Sequence, residues 1–206
     1  WKGLIDKLGG AFALSNCITI GLIAIGLMGY SNAIARDRDK GVFQRLRVTP
    51  VPTSLIMGSR LMVQLAMILL LTTFVFIVGY DYDKVKLSPS GYAFTYLTAF
   101  IGGAVYLGLG QLIVGLVKNS ETVNSTSRLV YFVFLMVGMF GQLGVLGTEF
   151  KEITKWSPYG TVKTILAASM VPATWNNEAT MALLVTVGYA VVFSFLGIKW
   201  FRWNSQ

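Results

Sequence analysis

The sequence has no histidine and a single cysteine, Cys17, in 206 residues. A transition-metal site is assembled from several imidazole or thiolate ligands, and one soft donor leaves nothing to assemble. One cysteine closes no intrachain disulfide, and a thiol inside an apolar run is inert packing. Charge is scarce as well: 13% of the residues are Asp, Glu, Lys or Arg, where a soluble domain carries about a quarter. Intramembrane hydrolysis would need paired carboxylates, a Ser/His or Ser/Lys set, or a His-rich metal site, and none can be put together from these residues. A phosphate-cradling Gly-x-x-x-x-Gly-Lys-Ser/Thr loop is also missing, which excludes nucleotide binding of that kind.

What the chain has in abundance is apolar length. Hydrophobic residues make up 54%, and the mean hydropathy is +0.64. Five runs are free of charge: 8–35, 61–80, 87–117, 129–148 and 179–198. About 20 helical residues, rising 1.5 Å each, cross the ~30 Å hydrocarbon layer of a bilayer. The runs therefore predict spans at roughly 9–33, 54–79, 91–117, 129–147 and 179–198, with all five prolines outside the span interiors. Transmembrane β-strands would alternate over ~10 residues, and no such alternation is present. The first run is too long for a signal peptide and is followed by further spans. The expected fold is an all-α membrane protein, a polytopic helical bundle forming one transmembrane domain over 1–206. The first residue is Trp1 rather than Met, so the chain reads as a piece of something longer.

Five spans put successive connections on alternate sides. One side holds 36–60, 118–128 and 199–206, with ten basic residues against three acids, a net +7. The other holds 1–8, 81–90 and 148–178, with seven lysines against six acids, a net +1. All seven arginines lie on the first side, which the positive-inside rule makes cytoplasmic, together with the C-terminus. Arg60 is placed to snorkel to the inner headgroups. Basic groups flanking membrane helices meet anionic lipid, so the high pI points to the bilayer as partner and not to nucleic acid.

Within this frame the third span is rich in small residues, from Gly102 to Gly115, which let helix backbones approach closely. The fourth carries Gly138, Gly141, Gly144 and Gly147 in one band, read as close packing, or else as a cavity wall or a flexible outer end. Deep polarity amounts to Asn16, Gln64, Gln111 and Gln142 with some hydroxyls, and interhelical hydrogen bonding is the plainer reading of each amide. Segment 148–178 is long. Inside it Val162–Met170 is apolar but too short to span, so it fits a partly inserted or a surface-lying helix. Trp156, Tyr159 and Trp175 are expected at the headgroup level of that side.

Residues 36–52 hold four of the seven arginines. Pro50 and Pro52 end any helix before them, and Gly41 permits a sharp bend. Val42, Phe43 and Leu46, at i, i+1 and i+4, share one face, while Lys40, Gln44, Arg45 and Arg47 point elsewhere. Composition leaves two readings open, a positively charged linker hugging the membrane or a short lever gripped by a soluble ATPase. The pattern Asp37-x-x-x-Gly41-x-x-x-Arg45-Leu46-x-x-x-Pro50 resembles the motif that follows the second helix of ABC-2 type transporter permeases, Glu-x-x-x-Gly-Thr-x-x-x-Leu-x-x-x-Pro. Asp37 stands where Glu is common and Val42 where Thr is common. The resemblance extends over most of the chain, through Trp156-Ser157-Pro158-Tyr159 before a short re-entrant element and a last helix ending in Lys199-Trp200-Phe201-Arg202.

Permeases of that type have six helices with both termini cytoplasmic, so the resemblance implies helices two to six here and a sixth span before Trp1. It implies the membrane half of an ATP-driven exporter of a drug-like, lipidic or peptide antibiotic molecule in a bacterial cell membrane. Two such halves, alike or different, would associate, each resting on an ABC ATPase subunit. ATP and Mg would belong to that partner, and this chain would carry no cofactor, metal or catalytic residue of its own. Coupling to the ATPase would fall to Asp37, Arg38, Gly41, Phe43, Arg45, Leu46 and Pro50. By the same analogy the first and fourth helices line the substrate cavity, making Asn16, Phe140 and Gln142 candidates for substrate contact. Two other classes stand against this reading. An ion- or proton-coupled carrier would need a titratable group near the midplane of a span, where this sequence has none. A non-transporting membrane anchor subunit would have no use for the motif.

Overall fold

The computed structural model describes residues 2–42, 53–83, 87–143 and 147–200, and every regular element among them is helical. Helix α1 (Lys2–Ile23) continues through a π-helical stretch (Ala24–Tyr30) into α2 (Ser31–Asp39). There follow α3 (Thr53–Asp83), α4 (Pro89–Leu116) and α5 (Ser120–Leu143). Two short helices come next, α6 (Thr148–Trp156) and α7 (Pro158–Met170), then a 3-10 turn (Pro172–Thr174) and α8 (Asn177–Trp200). Four stretches among the described residues are long and apolar enough to cross a membrane: Gly9–Asp39, Met62–Asp81, Pro89–Leu116 and Asn177–Trp200. Helix α5, with 24 residues, carries the apolar run that begins at Leu129. The fold is an all-α polytopic bundle.

The first helix outlasts its apolar run. Charge at Arg36–Asp39 ends compatibility with hydrocarbon, but alanine and arginine remain good helix formers, and arginines in a last turn complement the helix dipole. Gly41 supplies the stop. Its φ of 67° is left-handed, and its N–H donates to the Arg38 carbonyl at 3.0 Å, the geometry by which glycine closes a helix C-terminus.

Helix α4 is the hub. Ser88 caps its start by accepting from the Gly91 N–H at 3.1 Å, with Pro89 at the first helical position. Its small residues are where neighbours come closest. A methyl group on Gly110 would overlap the Gly26 carbonyl, one on Gly102 would meet Val162 of α7, and one on Gly108 would meet Ser194 of α8. The π-helical stretch lies at the first of these crossings. There Tyr30 donates to Gln111 Oε1 at 2.8 Å, and Asn32 Nδ2 donates to the Met28 carbonyl at 2.9 Å. Helices α3 and α8 form the rim and expose Leu70, Phe74, Leu184, Val191 and Phe195 on the bundle's outside, as lipid-facing surfaces do. Cys17 also lies on the outside.

Helix α7 contains the apolar run Val162–Met170. It packs against α1, α4 and α8 and buries nine of its 13 residues, from Tyr159 round to Met170. The helix is therefore packed into the bundle, with Thr164, Ala167 and Ala168 half-buried on the face that lines a cavity. Tyr159 is buried with it, 2% exposed, while Trp156 and Trp175 stay exposed.

Two glycines give a paired test of this packing. Gly110→Ala should destabilise the bundle by about 1–3 kcal/mol through overpacking. Gly188→Ala, with nothing within 4 Å of the new methyl, should be neutral or stabilise by about 0.5–1 kcal/mol. Thermal unfolding midpoints in detergent compare the two.

Candidate functional site

The arginine-rich end of the bundle is built from four consecutive residues of α2. Arg36 is exposed, but the other three turn onto neighbouring helices. Asp37 forms an ion pair with Arg60 of α3. Arg38 is 4% exposed. Its Nη1 donates to the Val114 carbonyl at 2.8 Å, and its Nη2 donates to the carbonyls of Val117 at 2.8 Å and Lys118 at 2.6 Å. These carbonyls close the C-terminal end of α4, where helix geometry leaves acceptors without intrahelical donors and a partial negative charge. Asp39 does the converse: its Oδ2 accepts from the Ser120 N–H at 3.2 Å, at the positive start of α5. The Arg38 Nε is buried without a hydrogen bond, 4.0 Å from the Asp39 carboxylate. One helix end thus ties α3, α4 and α5 together at the threshold of segment 43–52.

At the opposite end α6 and α7 close over the bundle. Ser157 caps α7 by accepting from the Gly160 N–H at 3.2 Å, and Pro158 takes the first helical position. The Tyr159 hydroxyl donates to Asn16 Oδ1 of α1 at 2.9 Å, and its ring lies against Gly138 of α5, where any side chain would collide. Gly141 meets Thr154 of α6 in the same way, so these two glycines serve close packing. Beside Tyr159, Lys163 is 8% exposed, with its ammonium over the Phe12 ring, 3.5 Å from the centroid. Burial pulls its pKa from 10.5 down to about 7. It faces a cavity of about 450 Å³ between α1, α6 and α7.

Of the residues expected to couple to a partner, Asp37, Arg38 and Gly41 are described, and Phe43, Arg45, Leu46 and Pro50 lie outside the described residues. The structure turns the Arg38 guanidinium inward, and Arg60 pairs with Asp37. Among the cavity candidates Asn16 is half-buried and bound to Tyr159, and Phe140 is 41% exposed on α5. Gln142 is described only by its helical backbone. Composition alone passed over Lys163, although it is the one charge within an otherwise apolar stretch from Ser157 to Trp175. That stretch is too short to span, so its burial was not visible before α7 was placed.

This architecture can be set beside known proteins. A family model described as "ABC-2 family transporter protein" matches residues 8–199. The chain belongs to the ABC-2 transporter family. The chain is also similar to a Bacillus subtilis (strain 168) protein named "Putative transport permease YvfS", 24% identical over 200 residues, which cover 95% of this chain and 78% of that protein. No solved structure matches. Family membership makes the bundle a transport permease domain in a membrane and gives segment 36–52 its setting between two membrane helices.

Removing Arg38 should be costly. Arg38→Met should destabilise the protein by about 1.5–3 kcal/mol, the scale of a hydrogen bond to a charged group, and Arg38→Lys should not rescue it, since an ammonium lacks the guanidinium fork. Lys163 sets a pH trend. Its folded pKa lies below its unfolded one, so the unfolded chain binds the extra proton and stability rises with pH between about 7 and 10.5. Lys163→Met should abolish that rise and be the more stable protein below pH 7, read from unfolding midpoints across pH.

Proposed function

We propose that this chain is the membrane subunit of an ATP-driven exporter whose power stroke comes from a separate ABC ATPase bound at the arginine-rich end. That end is cytoplasmic in this reading, because all seven arginines belong to it, and the membrane is a bacterial cell membrane. A second permease half, identical or related, completes the pathway. ATP and Mg stay with the ATPase.

The observation that carries this reading is the knot at Asp37, Arg38 and Asp39. Any force on the segment after Gly41 reaches a helix end that is already bonded to α3, α4 and α5. The push therefore moves four helices instead of one loop. Arg36 and Lys40, both exposed, and Phe43, Arg45 and Leu46 further on are the groups offered to the ATPase. Arg38 is a positioning residue that passes the movement on. The π-helical stretch sits between the knot and the α7 end, and π-turns interrupt the regular ladder at sites where helices work. Asn16 and the Tyr159 to which it is bonded mark where the moving first helix meets the inserted α7, so substrate contact by Asn16, Phe140 and Gln142 is set on that side. The cargo is an amphipathic molecule of the drug, lipid or peptide antibiotic kind, matching apolar walls dotted with amides and hydroxyls.

Buried Lys163, with a pKa near neutrality, is the one described feature a proton-coupled carrier could use. The decisive experiment reconstitutes the full-length permease with its ABC ATPase in proteoliposomes. Efflux should require ATP and the ATPase and should ignore a protonophore; efflux without the ATPase, or stopped by the protonophore while ATP lasts, would defeat the proposal. Reversing the ion pair tests coupling. Asp37→Arg and Arg60→Asp should each sharply reduce ATP-driven transport, and the double reversal should restore much of it.

A further inference from the structure

We infer that the chamber beneath Phe12 is a binding site for an anionic amphiphile, a molecule bearing one carboxylate or phosphate head on an apolar chain, with Lys163 as the group that holds the head. Lys163 is buried, and among the described residues no carboxylate pairs with it. A bare ammonium is expensive to remove from water unless it is partnered. The Phe12 ring face is a partial partner, and Phe12 itself is 49% exposed, so it covers the ammonium from outside without being locked in place.

The charges around the chamber leave a positive surplus. Helix α6 presents Lys151, Glu152 and Lys155, α8 presents Glu178, and α7 presents Lys163 and the Tyr159 phenol, while α1 and α5 contribute the uncharged Phe12 and Gly141. Lys155 and Glu178 neutralise each other at 3.0 Å. Lys151 and Lys163 then stand against Glu152 alone.

A second cavity of about 360 Å³ adjoins the first and shares Phe12, Thr164 and Glu178 with it. Ala11, Ala167, Ala168 and Ala179 form much of its wall. A charged chamber of about 450 Å³ opening onto a trough walled by four alanines and Phe12, with Thr164, Thr174, Asn176 and Glu178 at its polar edge, suits a polar head and an apolar tail, and both lie within the size range of small-molecule sites. Because burial lowers the Lys163 pKa to about 7, an anion beside it favours the protonated form, and binding weakens as pH climbs above neutrality. The occupant is either cargo leaving the exporter or an anionic lipid of the surrounding leaflet. Only that choice rests on the export reading; binding of the head does not.

The test uses the full-length permease in phosphatidylcholine nanodiscs without ATP, with bromododecanoate as probe and its methyl ester as neutral control. Quenching of the tryptophans at 156 and 175 reports occupancy. The acid should bind saturably near pH 6 and about tenfold more weakly to Lys163→Gln, the loss of roughly one charge-assisted hydrogen bond. Lys163→Arg should retain binding, and the ester should not distinguish the variants. Ala168→Leu keeps the lysine but fills the trough, and it should weaken acid and ester alike, which guards against a Lys163→Gln protein that fails to fold. Competition by phosphatidylglycerol nanodiscs would identify the lipid as occupant; Lys163-dependent binding that survives them would identify cargo. Equal affinity of parent and Lys163→Gln, or of acid and ester, overturns the inference. Since no ATPase is present, failed export and a failed site give separate results.

Discussion

The bundle depends on how two helix ends are neutralised. The last turn of α4 and the first turn of α5 meet at the arginine-rich end, one with bare carbonyls and one with bare N–H groups. Arg38 answers the carbonyls, and Asp39 answers an N–H. Adjacent residues of opposite charge on one turn of α2 are the economical way to serve two opposed dipoles side by side. Asp37 adds α3 through Arg60. Together these contacts make the end of the first membrane helix a junction rather than a terminus, and that junction is where an external force would enter.

The second organising feature is α7. A helix of 13 residues, about 20 Å long, cannot cross the bilayer, yet it is buried on nearly every side. Its packing needs close approach by its neighbours, which Gly102 of α4 and Gly138 of α5 provide, and polar anchors, which Tyr159–Asn16 and Thr98–Ser169 provide. That packing brings a lysine into the interior and creates two joined chambers under the first helix. The bundle is therefore polar at both ends for different reasons. One end is knotted by paired charges and helix ends, and the other holds an ammonium set over an aromatic face.

Much of this was legible residue by residue. The charge-free runs located the long helices because hydrocarbon tolerates no other composition over that length, and the glycines of the third run marked the hub because small residues decide where membrane helices touch. Gly41 was legible as a bend for its freedom at positive φ. The serine–proline pairs before α4 and α7 are capping signals in retrospect. Less legible was the meaning of Arg-Asp-Arg-Asp. Read as a string it is a patch of surface charge, and Arg36 fits that description. Arg38 does not, because the acceptors it serves lie 76 to 80 positions away. Asn16 could be read as an interhelical hydrogen bond, but its partner, Tyr159, is 143 positions distant and had been assigned to the headgroups.

Composition and spacing thus settled the class of protein, an all-α membrane bundle, since long apolar helices follow from the transfer of local segments into a bilayer. Fold contacts alone settled which charges are paired inside and which face outward, that α7 packs into the bundle, and that Lys163 is buried beside a cavity. The physical reason is one of range. Partition into lipid is a property of twenty neighbours in sequence, whereas the pairing of a guanidinium with a helix end, or the isolation of an ammonium, depends on groups that only packing brings together.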